Sequence, residues 1–258
     1  PVRRPLGERM FDTPVSPVAG AGWFAVGTAV MGLAALYVAI RGRGVEDPRA
    51  RGVHVVAALV PAVACGAYLA MALGVGVAEV AVRGGTLRLH WARYADWLFT
   101  TPLLLIGLGL FVGADGETLF GAVAADVFMI VTGVAATLSG VPTYRYVWWG
   151  VSTVAFLCVL YFVVVALGRE ARDRDEATRS TFAALRVLIG ASWTVYPVWW
   201  LVGTGLGLVS PTAEAAGFLL LDTVAKVGFG LLVLRSPALA GADANAPEGE
   251  AAPGTPAE

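Results

Sequence analysis

Lysine is nearly absent from this sequence. The 258 residues include seventeen arginines but a single lysine, Lys226, and only 14% of all residues are charged. With a net charge of -1 the chain has no basic surplus, which excludes the electrostatic footprint of nucleic-acid-binding domains. Cysteine is scarce too. Cys65 and Cys158 lie far apart inside apolar runs, so neither a disulfide framework nor a metal site is predicted.

Long polar stretches are missing from the middle of the chain. Hydrophobic residues make up 57% of the sequence and the mean hydropathy is +0.73, a composition typical of proteins that cross the bilayer several times. Seven apolar segments approach the ~20 residues that a helix needs to cross a hydrocarbon core ~30 Å thick. We predict them at residues 20–41, 53–74, 91–112, 119–138, 146–167, 182–202 and 213–234.

These segments predict an all-α membrane fold, because a backbone surrounded by lipid must satisfy its own hydrogen bonds. Residues 20–235 are expected to form one bundle of seven transmembrane helices in a multi-pass protein of the cell membrane. Residues 1–19 lack the apolar core of a signal peptide and are expected to form an exposed tail. Residues 236–258 have the composition of a disordered tail. Nine arginines against six in alternating loops predict an N-terminus outside and a C-terminus inside.

The single lysine lies in the middle of the seventh segment, with Asp222 one helical turn before it. A charged side chain at the centre of a bilayer costs about 3 kcal/mol on insertion scales, and such residues usually face the bundle interior at a functional site. At this spacing the carboxylate and the amine share one face of the helix. The pair is either a structural ion pair, or an attachment site at which Lys226 forms a protonated Schiff base with Asp222 as counter-ion.

A second charged pair lies in the third segment. Arg93 and Asp96 are three residues apart on one helix face, and the Thr100 hydroxyl is placed to hydrogen-bond the Asp96 carboxylate. Together with Asp222 and Lys226 they would form a cluster of four charges whose sum is zero, which lowers the cost of burial.

The sixth segment carries large flat rings at spacings of three and four residues, namely Trp193, Tyr196 and Trp200. Such a stripe is often ordinary core packing. Opposite a segment with a lone lysine, it is equally suited to form the wall of a slot for an elongated conjugated ligand.

Three stretches together resemble the archaeal microbial rhodopsins, most closely the bacteriorhodopsin type. They are residues 93–103, Trp193 with Tyr196 and Pro197, and residues 221–228, and the resemblance extends from about residue 23 to 235. It implies a seven-helix retinal protein in which Lys226 carries all-trans retinal as a protonated Schiff base.

The resemblance also implies roles for individual residues. Asp96 would be the primary counter-ion and proton acceptor, Asp222 the second counter-ion, and Arg93 a mobile charge beneath them. Tyr68 would hydrogen-bond this complex, and Glu214 would belong to the proton-release side. An uncharged Asp126 would lie near the ring end of the retinal pocket. The residues expected to line the pocket are Trp97, Thr101, Leu104, Met129, Gly133, Trp149, Ser152, Thr153, Phe156, Trp193, Tyr196, Pro197 and Trp200.

The chain departs from the pump pattern at both ends of the proton path. Gly107 stands where bacteriorhodopsin-like pumps place a cytoplasmic proton donor, and Ala57 replaces the hydroxyl that accompanies that donor. His54 is near this end of the second segment, where a lone histidine is more often simply solvated. On the release side Glu214 has no acidic partner, because residues 203–205 are one residue short and contain no acid.

We therefore predict an outward proton pump, not an enzyme, with a slow photocycle. The carboxylate of Asp96 argues against anion uptake, because the family's chloride pumps carry a neutral residue there. A sensory photoreceptor that signals to a membrane transducer stays open because sensory rhodopsins also lack the donor, although Ala225 and Leu220 replace the hydroxyls typical of transducer binding. A light-gated channel, a structural retinal protein and a non-retinal receptor or transporter are further alternatives. The expected partners are the lipid bilayer, protons and, by family resemblance, two further copies in a trimer.

Overall fold

Seven long helices dominate the computed structural model, which describes residues 19–82 and 85–240. Each of the seven is long and apolar enough to cross a membrane, so the predicted seven-helix membrane bundle is confirmed. The remaining parts of the two predicted tails lie outside the described residues. The helices are α1 (Ala21–Arg41), α2 (Pro48–Ala72), α3 (Trp91–Val112), α4 (Gly116–Leu138), α5 (Pro142–Asp173), α6 (Glu176–Gly205) and α7 (Pro211–Leu234), followed by a short α8 (Pro237–Ala240).

A β-hairpin between α2 and α3 was not predicted. Strands β1 (Ala78–Val82) and β2 (Gly85–Leu89) pair antiparallel, and Glu79 forms an ion pair with Arg88 at 3.4 Å. Strands of five residues are too short to produce a clear alternating pattern. The hairpin defines one end of the bundle, called the hairpin side below. The opposite end, where α7 finishes, is called the tail side.

Several helices extend beyond the predicted apolar segments on the tail side. Helix α2 begins five residues earlier than predicted and α6 six residues earlier, because aspartates cap their first turns. Asp47 accepts from the backbone N–H of Ala50 at 2.6 Å, and Asp175 accepts from that of Thr178 at 2.9 Å. The hydrogen bond from Thr178 also lowers the pKa of Asp175. Polar first turns of this kind stand outside an apolar pattern, so hydropathy does not mark them.

The first residues of the predicted C-terminal tail pack against the bundle. Ser236 donates a hydrogen bond to the Thr181 hydroxyl at 3.2 Å, and Leu239 of α8 is buried against the tail-side core. An apolar side chain that covers the end of the bundle keeps this segment packed. The bundle is therefore covered at this end by residues that follow α7.

The interior of the bundle differs between its two ends. On the tail side it consists of aliphatic and phenylalanine side chains, whereas the hairpin side contains tyrosine and tryptophan rings with polar groups among them. The tail-side core includes Val53, Val56, Ala57, Val60, Leu108, Phe182, Leu185, Phe229 and Val233. Lys226 lies between the two regions.

Candidate functional site

Lys226 is buried at the centre of the bundle, with only 2% of its surface exposed. It lies in a π-helical turn of α7 (Thr223–Val227), an irregularity that is frequent at functional sites because it re-aims a side chain. Its Nζ donates to Oδ2 of Asp96 and lies 3.3 Å from Oδ1 of Asp222. One amine therefore stands between two carboxylates, one from α3 and one from α7.

The carboxylate of Asp222 is held by three further donors. The hydroxyl of Tyr68 donates to it at 2.7 Å and that of Tyr196 at 2.8 Å, and the indole N–H of Trp97 donates at 3.4 Å. The structure thus places Tyr68 on Asp222, within the complex where it was expected. Asp222 has little capacity left for another partner.

Asp96 is bonded differently. One of its oxygens accepts from Lys226, and the other, Oδ1, is buried without a hydrogen-bond partner in the described residues. The predicted bond from Thr100 to this carboxylate is not formed. The Thr100 hydroxyl donates at 2.8 Å to the backbone carbonyl of Asp96, one turn earlier, as threonines in helices often do. Asp96 therefore keeps an open oxygen beside the amine.

Arg93 does not join the charged cluster as predicted. Its guanidinium is buried and lies over the ring of Phe218, 4.3 Å from the ring centre. Within the described parts of the chain, no carboxylate lies within 4.0 Å of it. The cluster therefore consists of three charges, with the fourth stacked on an aromatic ring nearby.

An apolar cavity extends from Lys226 between the helices, and together with the space through which it opens to the outside it has about 820 Å³ that protein atoms do not fill. All thirteen residues predicted to line a retinal pocket lie around it. The walls include four flat indole rings, which suit a planar apolar ligand. Four other residues line the cavity without having been predicted to do so, namely Tyr94, Ile130, Ala136 and Ala225. Tyr94 is one turn before Trp97 and Ala136 is one turn after Gly133, so helical spacing could have identified them.

Asp126 lies behind the wall of this cavity rather than in it. The hydroxyl of Thr101 lines the cavity and donates to Asp126 Oδ2 at 2.7 Å, while Asp126 itself is completely buried. Asp126 thus lies near the cavity, as expected, and is linked to it through the Thr101 hydroxyl.

Hydrogen bonds between helices fix the cavity walls. The indole N–H of Trp149 on α5 donates to the carbonyl of Pro197 on α6 at 3.2 Å, and Ser152 donates to the carbonyl of Met129 on α4 at 2.8 Å. Gly133 lies next to Ser152, and a Cβ there would be in ordinary van der Waals contact with its hydroxyl oxygen, at 3.4 Å. These bonds hold three helices at a fixed separation around the cavity.

Glu214 lies at the hairpin side and is half-buried. Its Oε1 accepts from the Thr204 hydroxyl at 2.5 Å, and a Cβ on Gly203 would come within 2.7 Å of its carboxylate. The segment that lacks the second acid thus still contacts Glu214, through a neutral hydroxyl.

His90, just before α3, was missed by the sequence analysis. Burial, together with the nearby Arg93 and Arg88, lowers its pKa to about 3, and its Nε2 is buried with no partner in the described part of the chain. It is therefore an uncharged neighbour of Arg93 at neutral pH.

The tail side contains apolar groups where a proton donor would stand. A Cβ on Gly107 would lie 3.0 Å from both the Phe229 ring and Cγ1 of Val56. His54 points elsewhere, with Nδ1 2.8 Å from the carbonyl oxygen of Ala50 and its ring against Gly42. It does not take the place of the missing acid.

Comparison with known proteins decides the family. Residues 19–239 match the family described as bacteriorhodopsin-like protein. The chain belongs to the bacteriorhodopsin-like family. It is 48% identical over 239 residues to bacteriorhodopsin-II of Haloarcula marismortui, which covers 91% of this chain and 96% of that protein. As a bacteriorhodopsin-like chain with seven membrane-spanning helices, it is a microbial rhodopsin and a multi-pass protein of the cell membrane.

Two solved structures show that this fold serves more than one ion. Halorhodopsin, a light-driven chloride pump, is 31% identical with a TM-score of 0.80 over 88% of this chain and 96% of that chain. The light-driven proton pump Coccomyxa subellipsoidea rhodopsin CsR is 33% identical with a TM-score of 0.79 over 84% of this chain and 96% of that chain. The ion must therefore be argued from the residues of the site rather than from the bacteriorhodopsin-like fold.

Proposed function

We propose that this bacteriorhodopsin-like protein is a light-driven outward proton pump that carries retinal on Lys226 and has a slow photocycle. The observation that carries the proposal is the buried Lys226 amine, which lies between two carboxylates at the end of an aromatic cavity.

The residues of the cavity fit all-trans retinal. Its lining is almost entirely apolar, it is walled by flat rings, and the only lysine of the chain opens into it. Bound there, retinal would supply light absorption and a light-driven change of shape. Trp97, Trp193 and Tyr196 would orient it and exclude water from the amine.

The two carboxylates are suited to different tasks. Three donors stabilise the ionised carboxylate of Asp222, which makes it a fixed counter-charge. Asp96 accepts from Lys226 Nζ through Oδ2 and has no partner in the described residues at Oδ1, so its carboxylate is held less firmly than that of Asp222 and is suited to accept a proton. The proton held at Lys226 Nζ is therefore expected to move to Asp96.

Asp96 also favours protons over chloride as the transported ion. A buried carboxylate beside the amine repels an anion that approaches the same place, because the interaction of like charges is strong where water is excluded. Halorhodopsin shares the fold, but the charge at this position is what would select the ion.

Return of the proton to Lys226 is expected to be slow. The interior between Lys226 and the tail side contains no carboxylate in the described ranges 19–82 and 85–240, and apolar side chains surround Gly107. The proton must then come from bulk solvent through a dry region. Slow return follows from the low proton concentration at neutral pH.

The proposed direction of transport rests on the distribution of arginine. The tail side carries nine of these residues near the helix ends, Arg41, Arg43, Arg49, Arg51, Arg169, Arg172, Arg174, Arg179 and Arg235. This surplus favours a cytoplasmic tail side. A proton that passes from Lys226 to Asp96 and on toward Glu214 would then leave the cell.

The second candidate is a sensory photoreceptor with a membrane transducer, and the apolar surroundings of Gly107 favour it because a sensor tolerates slow proton return. Leu220 is 65% exposed on the lipid-facing side of α7 and offers a transducer no hydroxyl. Assembly as a homo-oligomer, a trimer by resemblance to the family, belongs to the same proposal.

Light-induced pH change in intact cells, with and without a protonophore, tests the proposal. A pump acidifies the medium under illumination, and the protonophore abolishes the signal. Asp96→Asn serves as the matched negative control. A visible photocycle without any net pH change would overturn the pump and support the sensor.

A further inference from the structure

We infer that Phe218 is a positioning residue that holds the Arg93 guanidinium midway between two carboxylates of α7, Asp222 and Glu214. The inference deepens the proposed function, since it concerns how the charge on Arg93 is kept available to both acids.

The spacing of residues along α7 supports this placement. Glu214, Phe218 and Asp222 recur every four residues and therefore form a stripe on one face of the helix. Successive members are about 6 Å apart along the axis, at 1.5 Å per residue. Arg93 reaches from α3 to the central member of this stripe, with its guanidinium carbon 4.3 Å from the ring centre. Its charge thus lies over the ring, and the ring occupies the place in the stripe between the two acids.

Arg93 stays on the ring because both acids already have partners. Asp222 accepts from Tyr68, Tyr196 and Trp97, and Glu214 accepts from Thr204. A guanidinium with no carboxylate of its own gains from the face of an aromatic ring, and more so where water is excluded. Arg93 is 6% exposed and Phe218 1% exposed, so this contact is dry.

The ring itself cannot move freely. Phe218 packs against Trp97, with ring centres 5.3 Å apart, and against Tyr196 at 6.2 Å. These two neighbours are also donors to Asp222. The Phe218 ring that supports Arg93 therefore packs directly against the two residues that donate hydrogen bonds to Asp222.

A ring contact holds a cation less firmly than a buried ion pair would. Arg93 can therefore respond when either acid changes its charge, without first breaking a salt bridge. His90 does not repel it, because the pKa of His90 is lowered to about 3 and the ring is neutral. Tyr68, Tyr94 and His90 lie close enough to interact electrostatically with Arg93. The other titratable groups on the helices packed around it are Asp96, Lys226, Tyr196, Asp222 and Glu214.

Removing the ring should release Arg93 toward Glu214. Asp222 already has three donors in addition to Lys226, whereas Glu214 is half-exposed and has one hydroxyl. With the positive charge farther from Asp96 and Asp222, the acid-induced colour change of the retinal-loaded protein in the dark should occur at higher pH. We expect Phe218→Leu to raise the midpoint of that change by about one pH unit, a tenfold effect.

The experiment compares Phe218→Leu with Phe218→Tyr, which keeps the ring, and with Phe111→Leu, a buried phenylalanine at the tail end of α3. Both comparison variants should keep the wild-type midpoint. In an Arg93→Gln background, Phe218→Leu should cause no further shift, because coupling vanishes when one partner is already gone. If the Phe218→Leu protein does not fold, Phe218→Met is used instead in every comparison, because methionine removes the ring at a similar side-chain volume.

An unchanged midpoint in Phe218→Leu would overturn the inference, and so would an equal shift in the Arg93→Gln background, because that would mark a general packing defect. These outcomes are distinct from failure of the proposed function. If wild type forms no visible band with retinal, the retinal proposal fails; if the band forms and the midpoint stays, only the role of Phe218 is wrong.

Discussion

The two halves of the bundle, on either side of Lys226, contain different kinds of side chain. The hairpin half contains hydrogen-bonded tyrosines, a stacked arginine and a glutamate held by a hydroxyl. The tail half is filled with aliphatic side chains and phenylalanine. In the part of the chain that the structure describes, the buried carboxylates thus lie at the level of Lys226 or on the hairpin side, and His54 is the buried titratable group of the tail half. In the proposed pump, release is guided by the protein and uptake is left to the solvent.

The contrast between the halves has an energetic side as well. Buried polar groups require hydrogen-bond partners, so the polar network of the hairpin half must stay intact. Asp222, which accepts from three donors besides Lys226, is an example of a fully bonded group. The tail half buries fewer polar groups, such as Ser236 on Thr181 and His54 on the carbonyl of Ala50, and is stabilised mainly by close packing. Substitutions should therefore alter proton chemistry on the hairpin side and rates of proton return on the tail side.

Removal of the amine between the halves should have the largest effect. Protein that contains Lys226→Ala should form no visible band with all-trans retinal, because the chain has no second lysine to take its place. The measurement is an absorption spectrum after reconstitution. A visible band in the variant that hydroxylamine bleaches would show that the attachment site lies elsewhere.

The next largest effect is expected from the acceptor on the hairpin half. Asp96→Asn should shift the band to longer wavelength, and it should lower light-driven transport by about a hundredfold or more, since counter-charge and acceptor are lost together. Spectroscopy and the pH assay in cells measure the two effects. Asp222→Asn is the matched variant, and if it alone blocked proton transfer, the roles of the two acids would be exchanged.

Much of this arrangement could be predicted from the sequence, because lipid imposes strict rules on it. Apolar length identified the seven helices, and the cost of burying a charge singled out Lys226 and its neighbour Asp222. The spacing of three and four residues predicted that Trp193, Tyr196 and Trp200 share one face of their helix. The placement of the thirteen cavity residues agrees with the expected pocket.

The contacts that could not be predicted are those in which a side chain has two possible partners and the packing of the helices decides between them. Arg93 stacks on Phe218 instead of pairing with a carboxylate, and Thr100 bonds a backbone carbonyl instead of Asp96 Oδ1. Each alternative was equally compatible with the spacing. The hairpin escaped because its strands are short, and the packing of Leu239 because a single apolar residue makes no pattern.

The tail half can be tested through the rate at which Lys226 recovers its proton. Without an internal donor, this step in wild type should slow about tenfold for each unit of rising pH between 5 and 8, because it is first order in protons. Flash photolysis measures it, and azide, a small diffusible acid, should accelerate it. A fast rate that does not depend on pH would reveal a donor in the tail half and erase the contrast between the halves.

A donor can also be introduced at Gly107, but the structure changes how this must be done. Val56 Cγ1 and the Phe229 ring would each lie 3.0 Å from a new Cβ, and the β-branched valine cannot move aside easily. We expect Gly107→Asp with Val56→Ala to accelerate proton return at neutral pH by about tenfold, and Gly107→Asp alone to do less. Val56→Ala alone is the control. Equal rates in all three variants would show that an acid at this position cannot serve Lys226.

The smallest expected effect concerns the hydroxyl that holds Glu214 on the hairpin side. Thr204→Val keeps the shape of the side chain but removes the donor to Oε1, so the ionised form of Glu214 loses a stabilising hydrogen bond. Glu214 should then hold its proton longer, and because it is half-exposed, proton release should be delayed by only about three- to tenfold. A pH-sensitive dye in the medium measures the delay after a flash.

Thr212→Val, at an exposed threonine two residues before Glu214, is the matched control and should release protons at the wild-type rate. If Thr204→Val also matched wild type while Glu214→Gln slowed release, the glutamate would act without its hydroxyl partner. If neither variant changed the timing, the proton would be released from a group other than Glu214. Asp96 would then be the only acid of the hairpin half with a role in proton release.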